Sequence, residues 1–245
     1  MTRISGYNLN ITPCCGAIYK TPRYRSMNFS AWEYWTDGYR EGSLMPGGHG
    51  LRKCKCGNFF ILSELQEFAE VEETEESSTK HVTPEELPLA IAQARNSDIE
   101  LAARLEYWEY LNHAYREHYR AYRSAEEAAT KTVWESANPD NRTWWQRFRK
   151  VPPPQYKRPK DSPFTYPRFE PTQEQLENML ALLGLLQKQE RLDHETLAEL
   201  HRELGQYEEA ERELQLLTED DQSTSTRVIA QMVKERKQEP MRFRM

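Results

Sequence analysis

Between Ser97 and Glu127 the apolar positions Leu101, Leu105, Trp108, Tyr115, Tyr119 and Tyr122 recur with a four-three spacing. That period predicts one long helix, opening at Ser97 or Asp98, running past Glu127 and carrying one apolar, aromatic face. Asn112 interrupts the stripe, and is expected at its solvated edge; the alternative is a pairing determinant of a coiled-coil-like contact. Thr83-Pro84-Glu85-Glu86 is a capping box with proline at the first helical position, so a helix starts there and Pro88 keeps its beginning irregular. Asn138-Pro139-Asp140-Asn141 marks a turn, and Thr143-Trp144-Trp145-Gln146 then caps a short helix. Thr172-Gln173-Glu174-Gln175 restarts helix with Leu176, Met179, Leu180, Leu183 and Leu186 on its buried side. Asp193 caps the next, with Leu192 and Leu197 placed as a hydrophobic staple, and a last helix is expected over about Thr226 to Lys237.

Residues 1–65 lack this period. They are rich in glycine and aromatics, with short β-type runs such as Gly16-Ala17-Ile18-Tyr19 and Phe59-Phe60-Ile61-Leu62. The fold class expected is therefore α+β: a small β module at 1–65, an acidic linker at 66–82, a long-helix region at 83–150, a proline-rich strap at 151–171 and a helical hairpin region at 172–245. The linker assignment rests on seven glutamates between Glu64 and Glu76 with no base among them, running into Ser77-Ser78-Thr79, which reads as a helix end fraying into solvent. The strap holds seven prolines from Pro152 to Pro171, which excludes helix and central strand.

Composition adjusts this picture in two ways. The chain of 245 residues is 38% hydrophobic and 29% charged, with a mean hydropathy of -0.91, enough apolar material for modest cores beneath large solvated faces. Its first residues lack the apolar stretch of a secretion signal, and no run approaches the roughly 18 apolar residues of a membrane span. A cytoplasmic protein without a membrane partner is expected. A net charge of -6 argues against indiscriminate binding to nucleic acid.

Four cysteines stand in two tight pairs, each ending in glycine: Pro13-Cys14-Cys15-Gly16 and Cys54-Lys55-Cys56-Gly57. So few cysteines in so long a chain do not make a disulfide scaffold, and their pairing suits a metal. These residues resemble the knuckles of the zinc-ribbon families, among them the modules that write the knuckle C-P-C-C-G. Thr12 and Lys53 stand where further cysteines of that pattern belong. The resemblance implies a structural Zn²⁺ held by Cys14, Cys15, Cys54 and Cys56, with His49 or water as a substitute for one of them should adjacent cysteines fail to reach one ion. Buried or redox-active free thiols are the other reading.

Between the pairs lie Phe29, Trp32, Tyr34, Trp35 and Tyr39, beside the loop Met45-Pro46-Gly47-Gly48-His49-Gly50. These rings either roof the metal module or, through Trp32 and Trp35, anchor a partner. From Arg142 to Phe169 eight bases face one acid, Asp161, a local charge of +7. Trp144, Trp145, Arg147, Arg149 and Lys150 head this stretch, where aromatics alternate with bases as they do in surfaces that grip phosphates or acidic proteins. The bland alternative is that the aromatics pin the strap to the helices while the bases neutralise acidic faces of the chain itself.

Leu197, Ala198, Gly205, Tyr207, Ala210 and Leu214 resemble the packing positions of a single tetratricopeptide repeat, with no second copy 34 residues away. His113 shares a helical stripe with Glu109 and Glu117, but no E-x-x-H, H-E-x-x-H, G-x-S-x-G, Walker or dinucleotide motif accompanies it. The sequence thus points to a non-catalytic zinc protein that contacts a protein partner. Small bacterial proteins of this appearance include adaptors and toxin-neutralising immunity proteins. A nucleic-acid-binding zinc ribbon using the basic strap is the alternative.

Overall fold

The short β-type runs pair into antiparallel three-stranded sheets in the computed structural model, which describes residues 3–27, 30–43, 48–157, 166–218 and 223–243. Phe29, Met45-Pro46-Gly47, Arg158, Lys160, Asp161 and Phe164 lie outside the described residues. The strands are β1 (Arg3–Ile11), β2 (Ile18–Ser26), β3 (Ser30–Trp35), β4 (Arg40–Ser43), β5 (Leu51–Lys53), β6 (Phe59–Ile61), β7 (Gln66–Val71), β8 (Lys80–His81) and β9 (Arg242–Phe243). Their orders are β2-β1-β7, β4-β3-β9 and β6-β5-β8. The helices are α1 (Leu87–Ala92), α2 (Ser97–Leu111), α3 (His113–Ala137), α4 (Trp144–Phe148), α5 (Gln173–Leu186), α6 (His194–Glu203), α7 (Tyr207–Gln215) and α8 (Thr224–Lys234). Strands in the first part and helices in the second make the chain α+β.

The chain divides into two compact units, one formed by Met1–Asn112 with Glu170–Met245 and the other by His113–Phe169. In the first, α2 is buried on two sides. Ile99, Ala102, Ala103 and Tyr107 meet Leu51 and Phe59 of the β6-β5-β8 sheet together with Leu87 and Ala90 of α1. Trp108, flanked by Leu101 and Leu105, meets Met179, Leu182 and Leu186 of α5 and Leu197 and Leu200 of α6. Each large side chain so buried contributes about 1.5–3 kcal/mol, so α2 is the element on which this unit is assembled. The C-terminus returns to the N-terminal strands: β9 pairs with β3, and Met241 exchanges hydrogen bonds with Thr36 at 2.9 and 3.0 Å.

Three expectations are corrected. The single helix from Ser97 past Glu127 is two helices, and Asn112 between them is buried, not at a solvated edge. Its amide donates to Asp37 Oδ2 and Glu203 Oε2, each at 3.2 Å, and its carbonyl oxygen accepts from Gln175 Nε2 at 3.1 Å, which satisfies a polar group that burial would otherwise penalise. Residues 66–82 are no helix end or plain linker: β7 and β8 complete two of the sheets. Acids are tolerated in β7 because it is an edge strand whose Glu70 pairs with Arg23 and whose Glu67 accepts from Asn8 Nδ2 at 2.5 Å. The His113 stripe is split by the helix break; His113 is 4.0 Å from Glu117, whereas Glu109 Oε1 is 2.9 Å from His49 Nε2.

α6 and α7 form a helical hairpin that α8 covers, burying Ala198, Ala210, Ile229 and Val233 together. Gly205 turns the corner at φ +77°, and the N–H of Gln206 closes on His201 O at 2.8 Å, the geometry that ends a helix with a left-handed residue. Gly205→Ala is expected to cost about 1–2 kcal/mol, because a Cβ there strains the backbone. Urea unfolding measures it, and an unchanged midpoint refutes it.

In the second unit, aromatic rings lay the strap along α3. Tyr115 meets Phe169 edge-on at 5.3 Å and donates its hydroxyl to Pro167 O, Tyr119 stacks on Tyr166 at 5.9 Å, and Trp134 meets Tyr156 at 5.9 Å. These contacts agree with aromatics that pin the strap. Among the described residues no helix is long and apolar enough to cross a membrane.

Candidate metal centre and candidate interaction surface

Two tight turns bring the cysteines together. The β1–β2 turn closes when Thr12 N–H donates to Ala17 O at 2.9 Å and Gly16 N–H to Thr12 O at 3.0 Å. The β5–β6 turn closes through Cys54 N–H to Asn58 O at 2.8 Å and Gly57 N–H to Cys54 O at 2.9 Å. Gly16 and Gly57 stand at φ +68° and +92°, a region closed to most other residues, although nothing within 4 Å would obstruct a Cβ at either. Backbone conformation is what requires glycine here.

Each cysteine of the first turn meets one of the second: Cys15 Sγ lies 3.5 Å from Cys54 Sγ and Cys14 Sγ 3.6 Å from Cys56 Sγ. All four sulfurs fall within 4.8 Å of one another, and all four are free thiols. Four thiolates around an ion at about 2.3 Å would sit about 3.8 Å apart, so the spacing fits a tetrahedral ion and the group could hold one. Adjacent Cys14 and Cys15 could both reach such an ion, and neither needs a left-handed backbone, because Gly16 supplies that turn. His49 is engaged elsewhere: its N–H donates to Glu106 and its ring pairs with Glu109. Burial works against a proton on that ring, but Glu109 and then Glu106 outweigh it and raise the His49 pKa.

Around the sulfurs stands a shell that the sequence alone did not reveal. Thr12, buried at the place of a missing cysteine, puts its hydroxyl 3.9 Å from both Cys15 Sγ and Cys54 Sγ. The Tyr19 hydroxyl donates to Cys54 Sγ at 3.7 Å while accepting the Lys55 N–H at 2.7 Å. Burial pushes the Cys54 thiol up, but the Cys56 amide, the Cys14 and Cys15 side chains and the Tyr19 hydroxyl prevail and bring it down to about 6. Burial, with Cys54 beside it, lifts Cys14 to about 12. Beneath lie Ala17, Tyr19 and Phe60, too small a core to hold two turns together unaided.

Among the described residues, the aromatics between the cysteine pairs do not belong to that core. Trp35 is buried and donates its indole N–H to Glu33 Oε1 at 2.6 Å, so it cannot anchor a partner; strand alternation turns Trp32 outward, 57% exposed. In the second unit Trp144, Trp145 and Phe148 of α4 are 66%, 63% and 69% exposed, packed on one another with ring centroids 4.7–6.1 Å apart. Arg147, Arg149 and Lys150 beside them are exposed as well. α4 is short but held at both ends, by the Thr143–Gln146 capping box and by Lys150, whose left-handed backbone at φ 54° lets Val151 N–H close on Gln146 O. We found no match between the chain and any protein family, curated protein or solved structure.

Proposed function

We propose that the chain is a non-catalytic interaction protein in which a structural zinc ion ties the N-terminal turns together and the surface of α4 contacts a protein partner. Cys14, Cys15, Cys54 and Cys56 would hold the zinc; thiolate-only sets select soft ions, and four thiolates leave no open position for a substrate. When bound, zinc supplies a cross-link between the β1–β2 and β5–β6 turns.

The observation that carries the interaction reading is the contiguous exposure of Trp144, Trp145 and Phe148 among bases. Tryptophan and arginine dominate the energetics of interfaces, and aromatic rings of this size gain little where they stand, in water. An adaptor or a toxin-neutralising immunity protein is the kind of role that such a surface serves. Affinity capture with the full chain and with Trp144→Ser/Trp145→Ser is the test. The expected result is a protein partner retained by the first and lost by the second, with folding stability changed by less than about 0.5 kcal/mol. Salt-sensitive retention of nucleic acid, lost when Arg147, Arg149 and Lys150 become Glu, would establish the alternative.

A further inference from the structure

The four sulfurs form two couples, each joining an exposed thiol of one turn to a more shielded thiol of the other. Cys15 is exposed and its neighbour Cys54, at 3.5 Å, is buried. Cys56 is exposed and its neighbour Cys14, at 3.6 Å, is half-buried. Both couples therefore run between the β1–β2 turn and the β5–β6 turn. A bond within the first turn is opposed by the chain itself: neighbouring Cα atoms stand about 3.8 Å apart, short of the roughly 4.4–6.8 Å that a disulfide spans. The hydroxyls of Tyr19 and Thr12, 3.7 and 3.9 Å from Cys54 Sγ, hold that sulfur in place. An accessible thiol with a second one in reach behind it is the arrangement in which oxidation stops at a disulfide.

We infer that hydrogen peroxide converts the centre into two disulfides, Cys15–Cys54 and Cys14–Cys56, so that the turns exchange one cross-link for another. The release of the ion rests on the zinc reading; the pairing rests on the sulfur geometry alone. In each couple the exposed thiolate attacks a peroxide oxygen, the O–O bond breaks, and hydroxide leaves with sulfenic acid formed on Cys15 or Cys56. The shielded thiolate then attacks that sulfur, the S–O bond breaks, and a second hydroxide leaves as the S–S bond forms. Each disulfide consumes one peroxide, and two protons from solvent turn the hydroxides into water. Four thiolates are thereby oxidised and none remains to hold an ion. Because both bonds span the turns, the β1–β2 hairpin stays tied in the oxidised chain, whereas chelation of the reduced chain releases it.

The test is peroxide treatment of the full zinc-loaded chain, with zinc release followed by a colorimetric indicator and linked peptides mapped after trypsin, which cuts after Lys55 and so separates Cys54 from Cys56. Loss of the zinc equivalent, two disulfides within one chain, and recovery of zinc binding after dithiothreitol are expected, with β1 and β2 resisting protease while metal-free and oxidised. Cys15→Ser should form Cys14–Cys56 and leave Cys54 a free thiol; Cys14→Ser should form Cys15–Cys54 and leave Cys56 free. Fragmentation of the parent's linked peptides between Cys14 and Cys15 reads the same pairing without a substitution. Sulfinic or sulfonic acid as the main product, links between chains, or any other pairing as the main one would overturn the inference. A chain purified without zinc refutes the zinc reading, and the disulfide map of the same sample still decides the pairing.

Discussion

The purified chain will carry one equivalent of zinc, and a strong chelator will open the β2-β1-β7 sheet while α2, α5 and α6 stay packed. The reason for so local an effect lies in how the two turns are supported. The β5–β6 hairpin is anchored through Leu51 and Phe59 to α1 and α2, a core that contains no cysteine, whereas the β1–β2 turn meets that hairpin through Ala17, Tyr19 and the thiols. Structural zinc contributes roughly 10–16 kcal/mol of apparent binding energy at neutral pH in small modules, comparable with the entire stability of an ordinary domain. Losing it should release the first hairpin. Protease cleavage confined to β1, β2 and β7, with helical circular dichroism retained, is the expected signature. Cys54→Ser should abolish stoichiometric metal. Tyr19→Phe, which removes one hydrogen bond to a sulfur and leaves the ring in place, should weaken binding about tenfold without loss of fold. A chain without stoichiometric metal, indifferent to chelator, would refute the centre.

The sequence disclosed most where one local rule acts by itself. Thr83, Thr143, Thr172 and Asp193 start helices or turns where their capping signatures stand, because a side chain that satisfies an orphan amide needs no tertiary partner. The cysteine pairs were legible for a similar reason: glycine after each pair fixes a tight turn. What stayed hidden depends on residues far apart in the chain. Asn112 looked like a break in an apolar stripe, and only Asp37, Gln175 and Glu203 make it a buried junction. The acidic run after Glu64 looked solvated, since nothing within it announces that Arg23 and Asn8 lie across a sheet. Trp35 could not be told from Trp32 by composition; the pleat decides which is buried. Thr12 was marked only as the place of a missing cysteine and Tyr19 only as part of a β-type run, because a hydroxyl that braces a sulfur is recognised only by where it ends up.

Arg202→Met is expected to destabilise the first unit by about 3–5 kcal/mol, the usual cost of leaving a buried charge without its partner. Arg202 and Glu199 are both fully buried and joined by two parallel hydrogen bonds, at 2.7 and 2.5 Å, and Arg202 also donates to Lys237 O. Removing both charges together, as Arg202→Met with Glu199→Leu, should restore most of the loss, since apolar groups of similar size need no compensation. A double variant as unstable as the single one would mean that the pair fixes the packing and does more than satisfy itself. Glu203, one residue on, behaves oppositely. Burial first, then Glu199 and Asp37, push its carboxyl well above 4.5, against the pull of Arg202 and the Trp108 indole. In the native state Glu203 therefore keeps a proton that the unfolded chain gives up near pH 4.5, so its contribution to stability is largest in acid and declines as pH rises towards the folded value. Glu203→Gln carries its proton permanently and can still accept from Trp108. Relative to the parent it should gain stability as pH rises above about 4.5, with a slope of up to about 1.4 kcal/mol per pH unit. Denaturant unfolding across that range reads the difference directly, and two parallel stability curves would show that Glu203 is ionised in the fold after all.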